Sequence, residues 1–319
     1  MPNEFSLIQQ YFAKPFARQV AGDGRVSLGI GDDCALLNLK RGFQLAVSVD
    51  TLVSGVHFPS SAPAEKIAQR ALRVNLSDLA AMGAEPLGFT LSLTLPDKNP
   101  QWLESFAKGL FECAQAFDIP LVGGDTTRGP LTINIQVMGQ VPTGNALTRS
   151  QAQVGDDIYV SGSLGEAAAA LSFLESKQIN EQQQFLHKRY YFPEPELKLG
   201  MQLRSLASSA IDISDGLVAD LGHICENSHV AAEIHWQKIP LSNTLKTTGN
   251  ETYWQCWALT GGDDYRLCFT APKDCAAELK NLSVHHIGSI VAQTDSNKPV
   301  TVFDNGEPLF LAETGYQHF

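Results

Sequence analysis

"RVNLSDLAAMGAE", residues 73–85, completes a helix and carries one residue out of place. At about 100° of rotation per residue, Ile67, Ala68, Ala71, Leu72, Leu79 and Met82 fall on one arc, and Gln69, Arg70, Arg73 and Ser77 on the other. Asn75 and Asp78 lie inside the apolar arc. A buried carboxylate without a partner is strongly disfavoured or forced to protonate. Asp78 therefore needs a partner, and what that partner is decides the reading of the chain. Gly83 suits the position just past a helix end, so the pattern predicts a helix from about Pro63 to Met82.

Around this helix the first half alternates strands and helices. "FQLAVSVD" (43–50), "FTLSLTL" (89–95) and "LTINIQVMG" (131–139) read as strands; the last puts Leu131, Ile133, Ile135 and Val137 on one face. A second helix starts at Asn99-Pro100, an N-cap followed by proline at the first helical position. It carries Leu103, Phe106, Leu110 and Phe117 on one face. The Gly-, Pro- and polar-rich stretch 139–157 is the expected domain boundary, giving domains 1–141 and 142–319. The second half reads as a strand "DIYVSG", a helix "LGEAAAALSFL", a helix near 195–208, a strand "AIDIS", a helix "GLVADLGHICE" and a strand–turn–strand "WALTGGDDYRLCFT". Mixed elements in both halves imply α/β (α+β) domains.

Composition narrows the function. A chain of 319 residues suggests two domains. A net charge of −11 argues against a nucleic-acid surface, which needs a basic patch. No apolar run approaches the roughly 20 residues of a membrane span, and "MPNEFSLIQQYF" has no signal-peptide pattern. The six cysteines form no C-x-x-C and no zinc spacing, as in a cytoplasmic protein with reduced thiols.

Six short stretches stand out: "GDD" (31–33), "SVDT" (48–51), "NLSD" (75–78), "GGDTT" (123–127), "DISD" (212–215) and "GGDD" (261–264). Each sets aspartate beside Gly, Ser or Thr at the end of an apolar run. Any one alone reads as a turn, since Gly allows positive φ and Asp forms Asx-turns; Asp215-Gly216 alone reads as the cap of helix 217–226. "NLSDLAAMGA" and "DISDGLVADLG" also form a weak internal echo. Together the clusters point elsewhere. Converging carboxylates repel and raise one another's pKa unless cations bind between them. Aspartate, serine and threonine oxygens suit hard cations, and Mg²⁺ commonly accompanies nucleotide phosphates. A metal would then be the partner of Asp78 at the rim of the core. No G-x-x-x-x-G-K-[ST] occurs, nor H-R-D with D-F-G, so P-loop and protein-kinase machinery are excluded. "SGSLGEA" (161–167) reads as a strand-to-helix turn.

"GIGDDCALL", "VDTLVSGVHF", "RVNLSDLAAMGAEP", "GGDTTRG", "DISDGLVADLGH" and "GGDDYRL", in this order, resemble the bacterial thiamine-monophosphate kinase family, within the superfamily of aminoimidazole-ribonucleotide synthetase, selenophosphate synthetase and a hydrogenase-maturation protein. The resemblance runs from about residue 5 to 319. It implies two α/β domains and a homodimer through the N-terminal sheets. It implies transfer of the γ-phosphoryl group of ATP directly to thiamine monophosphate, giving thiamine diphosphate without a phospho-enzyme. By position, Asp32, Asp33, Ser48, Asp50, Asp78, Asp125, Asp212 and Asp215 match the family's Mg²⁺ ligands, several ions being implied. Gly124, Asp125, Arg149 and Ser214 match its ATP contacts, and His57 and Asp263 its substrate contacts. The chain departs from the pattern in three places. Asp263 replaces a glutamate, Val49 replaces a threonine, and Glu313 stands where a close relative has Trp, leaving Tyr316 as the candidate to cover the thiamine.

Two rival classes stay open at this level. One is a sister ATP enzyme of the superfamily; selenophosphate synthetase would need a Cys or selenocysteine within 1–31, which has no Cys. The other is a non-catalytic nucleotide- or divalent-cation-binding protein, which turnover would exclude.

Overall fold

The computed structural model describes residues 4–20, 24–176, 178–294 and 298–316. The chain divides into two compact units, Met1–Leu79 with Ala84–Gly144, and Ala80–Gly83 with Asn145–Phe319.

The first unit begins with helices α1 (Glu4–Leu7) and α2 (Lys14–Val20) around a π-helical turn, Ile8–Ala13, then a small ribbon of β1 (Val26–Leu28) and β2 (Leu36–Leu37). Its main sheet holds β3 (Phe43–Val53), β4 (Glu85–Leu95), β5 (Leu121–Arg128) and β6 (Thr132–Pro142) in the order β3-β6-β4-β5. The β3–β6 and β6–β4 pairs are antiparallel and β4–β5 is parallel. Helices α3 (Ala64–Ala81) and α4 (Pro100–Ala116) supply the other layer.

The caps are those the sequence predicts. Asn99 accepts from the N–H groups of Gln101 and Trp102. At the end of α3, Gly83 sits at φ 64°, with Gly83 N–H on Ala80 O and Ala84 N–H on Leu79 O, a Schellman pattern. The polar arc of α3 is a correction. Gln69, Arg70 and Ser77 are buried, whereas Met82 is exposed. On the Gln69 side the reason is α4, which passes so closely that a Cβ on Gly109 would come within 2.3 Å of Glu65 O and sets Cys113 Sγ 3.8 Å from Gln69 O.

The second unit is a seven-stranded sheet of β7 (Asp157–Val160), β8 (Ser209–Asp212), β9 (Val230–His235), β10 (Leu267–Ala271), β11 (His285–Ala292), β12 (Val300–Asp304) and β13 (Glu307–Pro308), in the order β13-β12-β9-β11-β7-β10-β8. All pairs are antiparallel except β12–β9. The helices are α5 (Glu166–Ala170), α6 (Glu181–Tyr191), α7 (Leu197–Leu203), α8 (Leu217–Ser228), α9 (Asn243–Lys246), α10 (Glu251–Thr260) and α11 (Ala276–Leu279). Leu217, Leu221, Ile224 and Cys225 of α8 join Ile158, Val160, Ile211 and Ile234 of the sheet in one apolar core.

"WALT", expected as a strand, is instead the end of α10. Asn250 caps that helix through Tyr253 N–H, and Ala258 and Leu259 are its buried residues. A short apolar run does not distinguish strand from helix by periodicity. The internal echo has no common structure either: "NLSD" lies within α3, while "DISD" is a strand end and a loop. No helix among the described residues is long and apolar enough to cross a membrane.

Candidate active site

In the first unit, alternation along β3 turns Ser48, Asp50 and Leu52 to one face and Leu45, Val47 and Val49 to the other. The first set meets α3. Ser48 Oγ–H donates to Asp78 Oδ2 at 2.6 Å. Asp50 N–H donates to Asn75 Oδ1 at 3.0 Å, while Asn75 Nδ2 donates to Ala71 O at 2.8 Å. The two polar residues of the apolar arc are thus explained. Asn75, fully buried, ties helix backbone to strand backbone, and Asp78, half-buried, receives a hydroxyl.

The pairing leaves a charge problem. Burial, and then the charge of Asp78, push the Asp50 carboxyl from 3.8 to about 7. Two carboxylates competing for one half-buried place, with a hydroxyl beside them, are oxygen donors that fit a divalent cation. No three His, Cys, Asp or Glu side chains converge on one point among the described residues.

The other acids of this unit stand on exposed backbone. Asp32 Oδ1 accepts from Asp33 N–H at 2.9 Å. Asp125 lies opposite Ser92 in the β4–β5 register. Gly124, one residue before it, has φ 155°, and a Cβ there would fall 2.0 Å from Leu91 O. Only glycine allows the two parallel strands to approach this closely. His57 Nδ1 accepts from Val53 N–H at 3.0 Å, which places the neutral ring's proton on Nε2.

In the second unit the acids sit on a loop. Asp212 ends β8 and is buried. Ser214, Asp215 and Gly216 then point three consecutive N–H groups at a single oxygen, Asp220 Oδ2, at 3.0, 3.0 and 3.1 Å. Asp215 does not cap α8; the first residue before the helix, Gly216, makes no side-chain cap, and Asp220 inside the first turn reaches back instead. Burial raises the Asp220 carboxyl to about 6, the N–H bonds opposing it.

The loop's carbonyls hold the neighbouring segments. Asp263 N–H donates to Ser214 O at 2.8 Å, Tyr265 N–H to Ile213 O at 2.8 Å, and Tyr316 N–H to Asp215 O at 2.9 Å. Asp263 sits at φ 62° and accepts from Tyr265 Oη–H at 3.3 Å. Tyr316, half exposed, lines a cleft of about 390 Å³ with Asp215, His223 and Lys298. Next to Asp263, buried Asp264 takes Gly165 N–H on both oxygens at 2.9 Å. Arg149 is exposed, and its carbonyl accepts from Ser228 Oγ–H at 3.0 Å.

Sequence reading missed Asn75 as a bridge and Asp220 as a hub. The only sequence signal for Asp220 was an acid in the first turn of a helix that directly follows an aspartate-rich strand end.

A family model described as AIR synthase related protein, N-terminal domain, matches residues 31–141. The chain is 46% identical over 324 residues to thiamine-monophosphate kinase of Escherichia coli, covering 99% of this chain and 98% of that one. It is 36% identical to the protein of that name from Bacillus subtilis, with 92% and 94% covered. The crystal structure of thiamine-monophosphate kinase from Stenotrophomonas maltophilia matches with TM-score 0.85 at 43% identity, over 94% of this chain and 97% of that one. AaThiL complexed with AMPPCP and TMP matches with TM-score 0.79 at 31% identity, over 99% and 97%. With relatives this similar along their whole length, the chain belongs to the thiamine-monophosphate kinase family.

Proposed function

We propose that this protein phosphorylates thiamine monophosphate to thiamine diphosphate with ATP, by direct in-line transfer with several Mg²⁺ ions. The observation that carries the reading is the Ser48–Asp50–Asp78 cluster, a hydroxyl and two mutually repelling carboxylates fixed between β3 and α3. Full-length kinship to enzymes named for this reaction supports it.

Ser48, Asp50 and Asp78 are the first choice of Mg²⁺ ligands, with Asp32, Asp33 and Asp125 of the same unit and Asp212 and Asp215 of the second. Bound there, Mg²⁺ would neutralise charge on the phosphate oxygens. Gly124, Asp125, Arg149 and Ser214 contact ATP. His57, Asp263 and Tyr316 contact the substrate. His57 does so as a donor, because its Nδ1 is already committed to Val53 N–H. No side chain acts as covalent nucleophile: the acceptor phosphate is already an anion near neutral pH, so positioning and charge neutralisation suffice. The N-terminal domain, residues 1–141, supplies metal and nucleotide groups and a dimer face; the C-terminal domain, residues 142–319, supplies further nucleotide and substrate groups. The dimer face is the outer side of β3, where Leu45, Val47 and Val49 are each about half exposed, unusual for three apolar residues in a row on one strand face.

The test is ADP release from purified protein with Mg²⁺-ATP, with and without thiamine monophosphate, the product identified by mass. Thiamine diphosphate formed only with both substrates is expected. ADP without dependence on thiamine monophosphate would point to a sister enzyme, and no ADP from folded, ATP-binding protein would leave a binding module. Light scattering of Val47→Lys should show monomer where the unchanged chain is a dimer.

A further inference from the structure

The second unit contains a buried acid to which none of these roles falls. Asp220 is 2% exposed, so it has no surface to offer a ligand. Its Oδ2 nevertheless collects the N–H groups of Ser214, Asp215 and Gly216. Successive N–H groups turned to one side form a concavity for an anion, and here the anion is built into the following helix. The conformation is not one the loop adopts freely. Gly216 stands at φ 126°, and a Cβ there would lie 2.9 Å from the Thr260 backbone.

What depends on this loop is most of the second unit's chemistry. Ser214 and Asp215 are on it, and Asp212 is directly before it. Ser214 O takes Asp263 N–H and Asp215 O takes Tyr316 N–H, both within 2.9 Å. The same three peptide units that donate their N–H groups to Asp220 thus accept, through their carbonyls, from the backbones of Tyr265, Asp263 and Tyr316. We propose that Asp220 is the positioning residue of the second unit, clamping one loop that carries or holds its metal and substrate groups and, Arg149 apart, its nucleotide group.

The roles of those groups rest on the function proposed above; the clamp itself does not. Asp220→Asn keeps the volume but replaces an anionic acceptor by a weaker neutral one and adds an N–H₂ that needs its own partners. We expect kcat to fall at least about tenfold, and the Mg²⁺ concentration for half activity to rise by about the same factor, the range seen when groups supporting metal ligands are altered. Far-UV circular dichroism should be unchanged. In hydrogen exchange read by mass spectrometry, the unmutated chain should protect the amides of 214–216 at least about 100-fold despite their lying in a loop, and the variant should lose that protection while the segment 70–79 keeps its own.

Kinetics and Mg²⁺ requirement within twofold of the unmutated chain would overturn the positioning role. Unprotected 214–216 amides in the unmutated chain would overturn the clamp, whether or not the variant folds. If the unmutated chain shows no thiamine monophosphate-dependent turnover, the proposed function fails, while the exchange experiment still decides the clamp.

Discussion

Two acidic clusters in this chain are held in opposite ways. Around Asp50 and Asp78, regular structure does the placing: strand alternation and a helix face bring side chains together, and the bonds run between side chains or from one side chain to a strand N–H. Around Asp212–Gly216, an irregular loop is held through its own main chain by one buried carboxylate. The first arrangement leaves repelling carboxylates facing one another. The second leaves the loop's side chains outside the hydrogen bonds that fix it. In the first cluster, then, removing a charge alters both binding and stability; in the second, the outward side chains can change while the fold stays.

The largest effect should come from Asp78→Asn. We expect turnover to fall by about 100-fold or more, the upper range for loss of a group at a metal site, with circular dichroism unchanged. Near-unmutated turnover would remove Asp78 from the metal set. Next is Asn75→Ala, which strips Asp50 N–H of its acceptor and should destabilise the chain by about 2 kcal/mol in urea unfolding. A change below about 0.5 kcal/mol would mean the strand–helix bridge does not matter.

Asp50→Asn should act in the other direction in metal-free protein. With a folded pKa of about 7 against 3.8, the folded chain holds a proton that the unfolded chain has released. Stability therefore falls as pH rises from about 4 through 7. In EDTA at pH 8 the variant should be more stable than the unmutated chain by on the order of 2 kcal/mol, a figure reduced for partial solvent access. At pH 4 the two should coincide, and an equal gain at both pH values would rule out charge as the cause. The smallest effect is Ser214→Ala, which should shift stability by less than about 0.5 kcal/mol, because the loop is fixed through N–H groups that the substitution leaves in place. A larger loss would erase the contrast between the clusters.

Much of this frame is legible in the sequence. The strand at 43–50 announces itself by its apolar run and those at 89–95 and 131–139 by alternation, and Gly83 and Asn99 mark helix ends where the structure has them. Asp78 is visible as an anomaly because periodicity assigns it a face. Its neighbour Ser48 is not, since nothing local links positions 30 residues apart. The second unit is harder to read. β9, β11 and β12 are short or interrupted by polar residues, and they belong to a sheet whose chain order is thoroughly shuffled. Asp220 looks like an ordinary polar residue of a helical first turn; its role depends on the loop curling back, which no spacing encodes. Val49 is the reverse case. It departs from the family pattern between two expected metal ligands, yet its side chain points with Leu45 and Val47 to the exposed face of the sheet, away from Ser48 and Asp50.

The bonds to Asp220 span only four to six residues of chain, whereas those of the first cluster span 25 and 30. Segments whose contacts are local close small loops and order early, while distant pairs wait for larger elements to dock. The turn of 214–216 can therefore take its shape along with the first turn of α8, as a self-templating piece of chain. The Asp50–Asp78 pair arises only once sheet and helix have met, so the alignment of those two carboxylates comes from the docking of β3 on α3 and not from the local chain.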